Sequence, residues 1–89
     1  MKIIRFTAGW CGPCKQLAPM LEDIKESYKE NCPEIQTVDI DEDMSLPVKY
    51  GIRGVPTLVK VNEQGFELDR LVGVTTKNKL TDWVLGIKN

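Results

Sequence analysis

The chain has 89 residues, with 12 Lys plus Arg against 13 Asp plus Glu, no histidine and a net charge of -1. That length suits one domain over residues 1–89 and excludes a large multi-domain enzyme, while so small a charge argues against direct nucleic-acid binding, where phosphates call for a basic excess. Apolar residues at 42% and charged residues at 28% fit a globular chain rather than a disordered one. No apolar run reaches the roughly 18 residues of a membrane span, and Arg5 interrupts the N-terminal run too early for a signal peptide, so a cytoplasmic protein with no membrane partner is expected. Cys11, Cys14 and Cys32 are an odd set, too few for a disulfide scaffold; in a reducing compartment a close pair reads as redox-active or metal-binding. The absence of histidine removes the usual general base, the Cys-His pair and the commonest zinc ligand together.

In chain order, residues 2–7 carry Ile3, Ile4 and Phe6 in a β-prone run. From Cys14 the period changes: Leu17, Leu21, Ile24 and Tyr28 fall at helical spacing, with a kink expected at Pro19 and an end at Asn31-Cys32-Pro33. Ile35, Val38 and Ile40 form a second strand, followed by the acidic cluster Asp39, Asp41, Glu42 and Asp43. Residues 44–50 supply one or two helical turns stopped by Gly51. Residues 57–61 and 66–72 are strands joined through Asn62-Glu63-Gln64-Gly65, a hairpin whose glycine can take positive φ. Leu80, Trp83, Val84 and Ile87 make the apolar stripe of a last helix capped by Thr76. The order is β-α-β then β-β-α, with the first two strands parallel because a helix crosses between them. The expected fold class is a small α/β sandwich, a four-stranded mixed sheet flanked by helices.

Cys11-Gly12-Pro13-Cys14 falls where the first strand gives way to the first helix. Unpaired backbone N–H groups and the positive end of the helix dipole favour an anion there, which makes Cys11 the expected thiolate and attacking group. Cys14 lies one turn further on the same face, roughly 5–6 Å away between Cβ atoms, within reach of a disulfide after small adjustments, and is the expected resolving group. Gly12 lets a substrate backbone approach, and Pro13 stiffens the first turn where no hydrogen bond is lost. Lowering a thiol pKa from about 8.5 to about 7 raises its thiolate fraction at pH 7 roughly 16-fold, yet lowers nucleophilicity about 5-fold, for a net gain of only about threefold. Most of the advantage must come from positioning and from intramolecular attack by Cys14 on a mixed disulfide.

Trp10-Cys11-Gly12-Pro13-Cys14-Lys15 followed by Ala18-Pro19 resembles the thioredoxin active-site signature. Lys49-Tyr50-Gly51-Ile52-Arg53-Gly54-Val55-Pro56-Thr57 is similar to the segment that carries a cis-proline facing the dithiol in that family, and Val72-Gly73 to its glycine near the substrate groove. The resemblance implies a thioredoxin-like fold and reduction of protein disulfides by dithiol exchange. It also implies recycling by a separate reductase, thioredoxin reductase first, with no metal, flavin or nucleotide cofactor and a monomeric state. A cis Val55-Pro56 bond would turn the Val55 backbone towards Cys11, where an extended substrate segment pairs like an added strand. Trp10, Gly12, Pro13, Val55, Pro56, Gly73 and Val74 would then form an apolar rim.

The chain also departs from the family. Longer thioredoxins begin with an extra strand and helix to which no segment of these 89 residues corresponds, so one sheet edge and part of one face are expected to be less covered. The family's buried carboxylate is Arg5 here, its lysine partner Thr37, and its second tryptophan Thr7. Arg5 and Lys15 are the cations that could tune the dithiol. For Arg5 the competing reading is an aliphatic stem over the less covered face with its head in water. Other functions fit less well. A zinc site lacks ligands, and a copper chaperone has no need of Val-Pro-Thr opposite its thiols. A calcium loop at Asp39-x-Asp41-x-Asp43 meets Met44 and Tyr50 at its glycine and glutamate positions, leaving solvated charge. Cys32 reads as a lone thiol and Trp83 as core. A glutathione-dependent, glutaredoxin-like reductase would show Gly-Gly and an aspartate where Gly73-Val74-Thr75-Thr76 stands. A non-catalytic binding subunit of a larger assembly is the alternative outside enzymology.

Overall fold

A computed structural model describes residues 1–87. Its elements are β1 (Lys2–Thr7), α1 (Gly12–Tyr28), a 3-10 turn (Lys29–Asn31), β2 (Glu34–Asp39), α2 (Ser45–Lys49), β3 (Thr57–Val61), β4 (Glu67–Val72) and α3 (Lys77–Leu85). The four strands form one sheet in the order β2-β1-β3-β4. β1 and β2 run parallel, as a helical crossover requires, while β1–β3 and β3–β4 are antiparallel. This is the mixed sheet, β-α-β then β-β-α, expected from the pattern of elements.

Alternation along β1 sends Ile3 to one face and Ile4 and Phe6 to the other. On the first face Ile3 and Leu58 pack against Leu17, Leu21 and Ile24 of α1 and against Leu80 and Val84 of α3. On the second face Ile4, Phe6, Val38, Val59 and Val61 form a cluster covered by Leu46 and Tyr50 around α2, with Ile52 and Val55. Full burial of one such side chain is worth about 1.5–3 kcal/mol, so the two clusters clamp β1 and β3 from both sides. α1 runs unbroken through Pro19, whose side is exposed.

Element ends follow local chemistry. The Thr76 hydroxyl accepts the Lys79 N–H at 3.2 Å and starts α3. Gly86, at φ 74, ends it in the left-handed region, so Ile87 falls outside the helix and is exposed instead of continuing the apolar stripe. Tyr28 is likewise exposed at the end of α1. The 62–65 turn closes with Gly65 at φ 85, and Phe66 stays outside β4, exposed, because pairing starts at Glu67. The β3–β4 register steps by one between Lys60 and Val61: Lys60 faces Asp69 and Val61 faces Glu67, which leaves Leu68 as the extra residue of a β-bulge.

Candidate active site

β1 leads through Ala8 into Gly9 and Trp10, and the Cys11 N–H donates to the Ala8 carbonyl at 3.2 Å, closing the turn into α1. Cys11 is the N-cap of that helix, with extended backbone, and its Sγ accepts the Cys14 N–H at 3.1 Å. Sulfur stands here where a cap usually carries a hydroxyl or carboxylate, and the same N–H stabilises it most when it is anionic. Cys11 and Cys14 are joined as a disulfide with their Cα atoms 5.3 Å apart. Their relative exposures are only 4% and 5%, so a partner must present its disulfide on a fitting surface to reach them.

The Val55-Pro56 peptide is cis, and the Val55 carbonyl oxygen stands 3.7 Å from Cys11 Sγ. In the disulfide that sulfur has no proton to donate, so the approach is a contact; the reduced thiol can donate across it. Among the described residues the Val55 N–H donates to no group. The Gly73 N–H donates to the Pro56 carbonyl at 2.9 Å, with Gly73 at φ 84, which brings the Val72-Gly73 glycine beside the proline. The Thr57 hydroxyl donates to the Gly54 carbonyl at 2.8 Å and braces the same loop. Val55 and Ile40 pack on Ala8, Cys11 and Cys14. Trp10, Gly12, Pro13 and Val74 are exposed.

Trp10 is 69% exposed yet held, its Nε1–H donating to Asp41 Oδ2 at 2.9 Å. The acidic stretch after β2 is therefore more than solvated charge, because Asp41 fixes the motif tryptophan. Charge spacing alone carries no signal for that contact, which depends on the Ile40 N–H pairing with the Thr7 carbonyl so that both segments leave the sheet together.

Arg5 pairs with Thr37 on one side and Leu58 on the other, so the positions of the family's carboxylate and its lysine partner are cross-strand neighbours. Sharing a face with Ile3 and Leu58, Arg5 lies on the side covered by α1 and α3. It is half-buried and makes no ion pair among the described residues. Lys15 is exposed on α1. Cys32 is half-buried against the α1 cluster, and burial, partly offset by Lys25, pushes its thiol pKa up. Trp83 packs on that same cluster, but its indole N–H donates to Asp69 Oδ2 at 2.9 Å and Lys60 Nζ sits 4.5 Å from its ring centroid. Among the described residues no three His, Cys, Asp or Glu side chains gather to hold a metal ion, and no helix is long and apolar enough to cross a membrane.

A family model for thioredoxin matches residues 1–86. The thioredoxin of Rickettsia felis is 37% identical over 82 residues, which cover 92% of this chain and 76% of that protein. A Staphylococcus aureus thioredoxin is 38% identical over 82 residues, 92% of this chain and 77% of its own length. The X-ray structure of Fasciola hepatica thioredoxin superposes with a TM-score of 0.81 at 32% identity, covering 97% of this chain and 79% of that one. With the family model spanning almost every described residue, the chain belongs to the thioredoxin family and is a thioredoxin-type disulfide reductase.

Proposed function

We propose that the protein reduces disulfides in partner proteins as a monomer in the cytoplasm, with thioredoxin reductase as its electron donor. The observation that carries this reading is the Cys11 sulfur at the tip of α1, 3.7 Å from the carbonyl of a Val55 whose N–H has no partner among the described residues. An extended substrate strand pairs with that backbone and sets its disulfide against Cys11. Trp10, Gly12, Pro13, Pro56, Gly73 and Val74 supply an apolar rim that reads shape more than sequence.

The reduced Cys11 thiolate attacks one substrate sulfur; an S–S bond forms to Cys11 as the substrate's own S–S bond breaks, and the leaving thiolate takes a proton from water. Cys14 then loses its proton to water, attacks Cys11 Sγ, and expels the second substrate thiolate. The substrate gains two electrons and the Cys11–Cys14 disulfide results, which a dithiol donor must reduce again. Arg5 occupies the position of the family carboxylate, so water is the proton acceptor for Cys14.

Insulin reduction coupled to NADPH oxidation tests the assignment. Turnover is expected with thioredoxin reductase. Turnover with glutathione and glutathione reductase alone would make the protein glutaredoxin-like, and no turnover with either or with dithiothreitol would make it a binding subunit.

A further inference from the structure

Residues 50–56 lead into the backbone that faces Cys11, and Gly51 and Gly54 give this stretch more freedom than a fixed pairing edge tolerates. β4 and the glycine that follows it hold the stretch at its two ends. At the far end the Gly73 N–H donates to the Pro56 carbonyl at 2.9 Å. At the near end Arg70 Nη2 donates to the Tyr50 carbonyl at 2.6 Å. The same guanidinium is gripped by Glu67, through Nε to Oε2 at 2.7 Å and Nη2 to Oε1 at 2.6 Å. Residues three apart on a regular strand point to opposite faces; the bulge at Leu68 places Glu67 opposite Val61 and Arg70 opposite Val59, on one face.

Tyr50 is a firm anchor. Its ring centroid lies 6.3 Å from that of Phe6 in the core, and its hydroxyl donates to the Gly65 carbonyl at 2.7 Å. The Tyr50 and Ile52 N–H groups bond back to Leu46 and Pro47 of α2, so these bonds alone would let α2 and the loop shift together. Arg70 ties that unit to β4. The guanidinium also holds the Glu67 carboxyl below its ordinary pKa, so the pair stays ionised around neutrality.

We propose that Arg70 is a positioning residue for reduction of protein disulfides: by tying the Tyr50 carbonyl to β4 while Gly73 ties Pro56, it sets the Val55 backbone at the height where a substrate strand meets Cys11. The inference rests on the disulfide-reductase reading above and names the residue that aligns its pairing edge.

The test compares a protein disulfide, which needs that edge, with a small aromatic disulfide, 5,5′-dithiobis(2-nitrobenzoate), which has no strand to pair. Protein reduced with dithiothreitol and freed of it is mixed with each. Arg70→Ala should lower the second-order rate with insulin roughly five- to tenfold and leave the aromatic disulfide within about twofold. Arg70→Lys should recover part of the loss, and Glu67→Gln should show a smaller loss in the same direction. An unchanged insulin rate, or equal slowing with both disulfides, would overturn the proposal. Should Arg70→Ala fail to fold, the insulin-to-aromatic ratio of Glu67→Gln decides, and a wild-type ratio there would overturn it. Wild type that reduces the aromatic disulfide but not insulin would instead defeat the protein-disulfide reading itself.

Discussion

The amide of Cys14 points at the sulfur of Cys11 from 3.1 Å, so the resolving residue supplies the hydrogen bond that caps the helix through the attacking one. Structure and chemistry share a single contact. In the reduced protein, Cys11→Ala should therefore lower stability by about 1 kcal/mol relative to Cys11→Ser, whose hydroxyl can cap the same N–H. Urea unfolding under dithiothreitol measures the difference, and equal midpoints for the two variants would mean the sulfur does not cap.

Arg5 takes the family's carboxylate position beside Thr37, half-buried and with no ion pair among the described residues. Strand register places it on the face of Ile3 and Leu58. Arg5→Met keeps an aliphatic stem and removes the charge, so thiolate absorbance at Cys11 should titrate as in wild type. A titration displaced to higher pH in Arg5→Met would show that the guanidinium stabilises the thiolate.

Lys60 is 8% exposed between Trp83 and Asp69, and burial lowers its pKa from 10.5, with Asp69 opposing. Folding thus disfavours its charge: between the lowered folded value and 10.5 the unfolded chain binds more protons, so stability rises with pH through that alkaline window. At neutral pH both states are charged and the burial penalty is fully present. Lys60→Met should stabilise the protein at pH 7, with the gain shrinking as the pH rises through the window that closes at 10.5. Thermal unfolding across that range checks it, and a destabilised Lys60→Met at pH 7 would mean that the Trp83 ring and Asp69 outweigh burial.

The Lys60 clip and the Arg70 fork also show where reading the chain stops. β1, α1 and the β3–β4 hairpin are legible because their signals are local: a β-prone run in Ile3, Ile4 and Phe6, helical spacing in Leu17, Leu21 and Ile24, a glycine where Gly65 needs positive φ. Cys11 and Cys14 are legible because the strand-to-helix junction has fixed chemistry, whereas Val55 and Pro56 are legible only through the resemblance of residues 49–57 to the thioredoxin family. The Trp10–Asp41, Trp83–Asp69 and Arg70–Tyr50 contacts are not, since each joins residues far apart in sequence through side-chain reach. The bulge at Leu68, which decides the face of Glu67, has no glycine or proline to announce it.

Division of labour between the two sulfurs is tested most directly by trapping. Cys14→Ser, incubated with a disulfide-containing protein and digested for mass spectrometry, should accumulate a mixed disulfide through Cys11, and Cys11→Ser should accumulate none and lose insulin reduction. An adduct through Cys32, or reduction that survives in Cys11→Ser, would contradict the account.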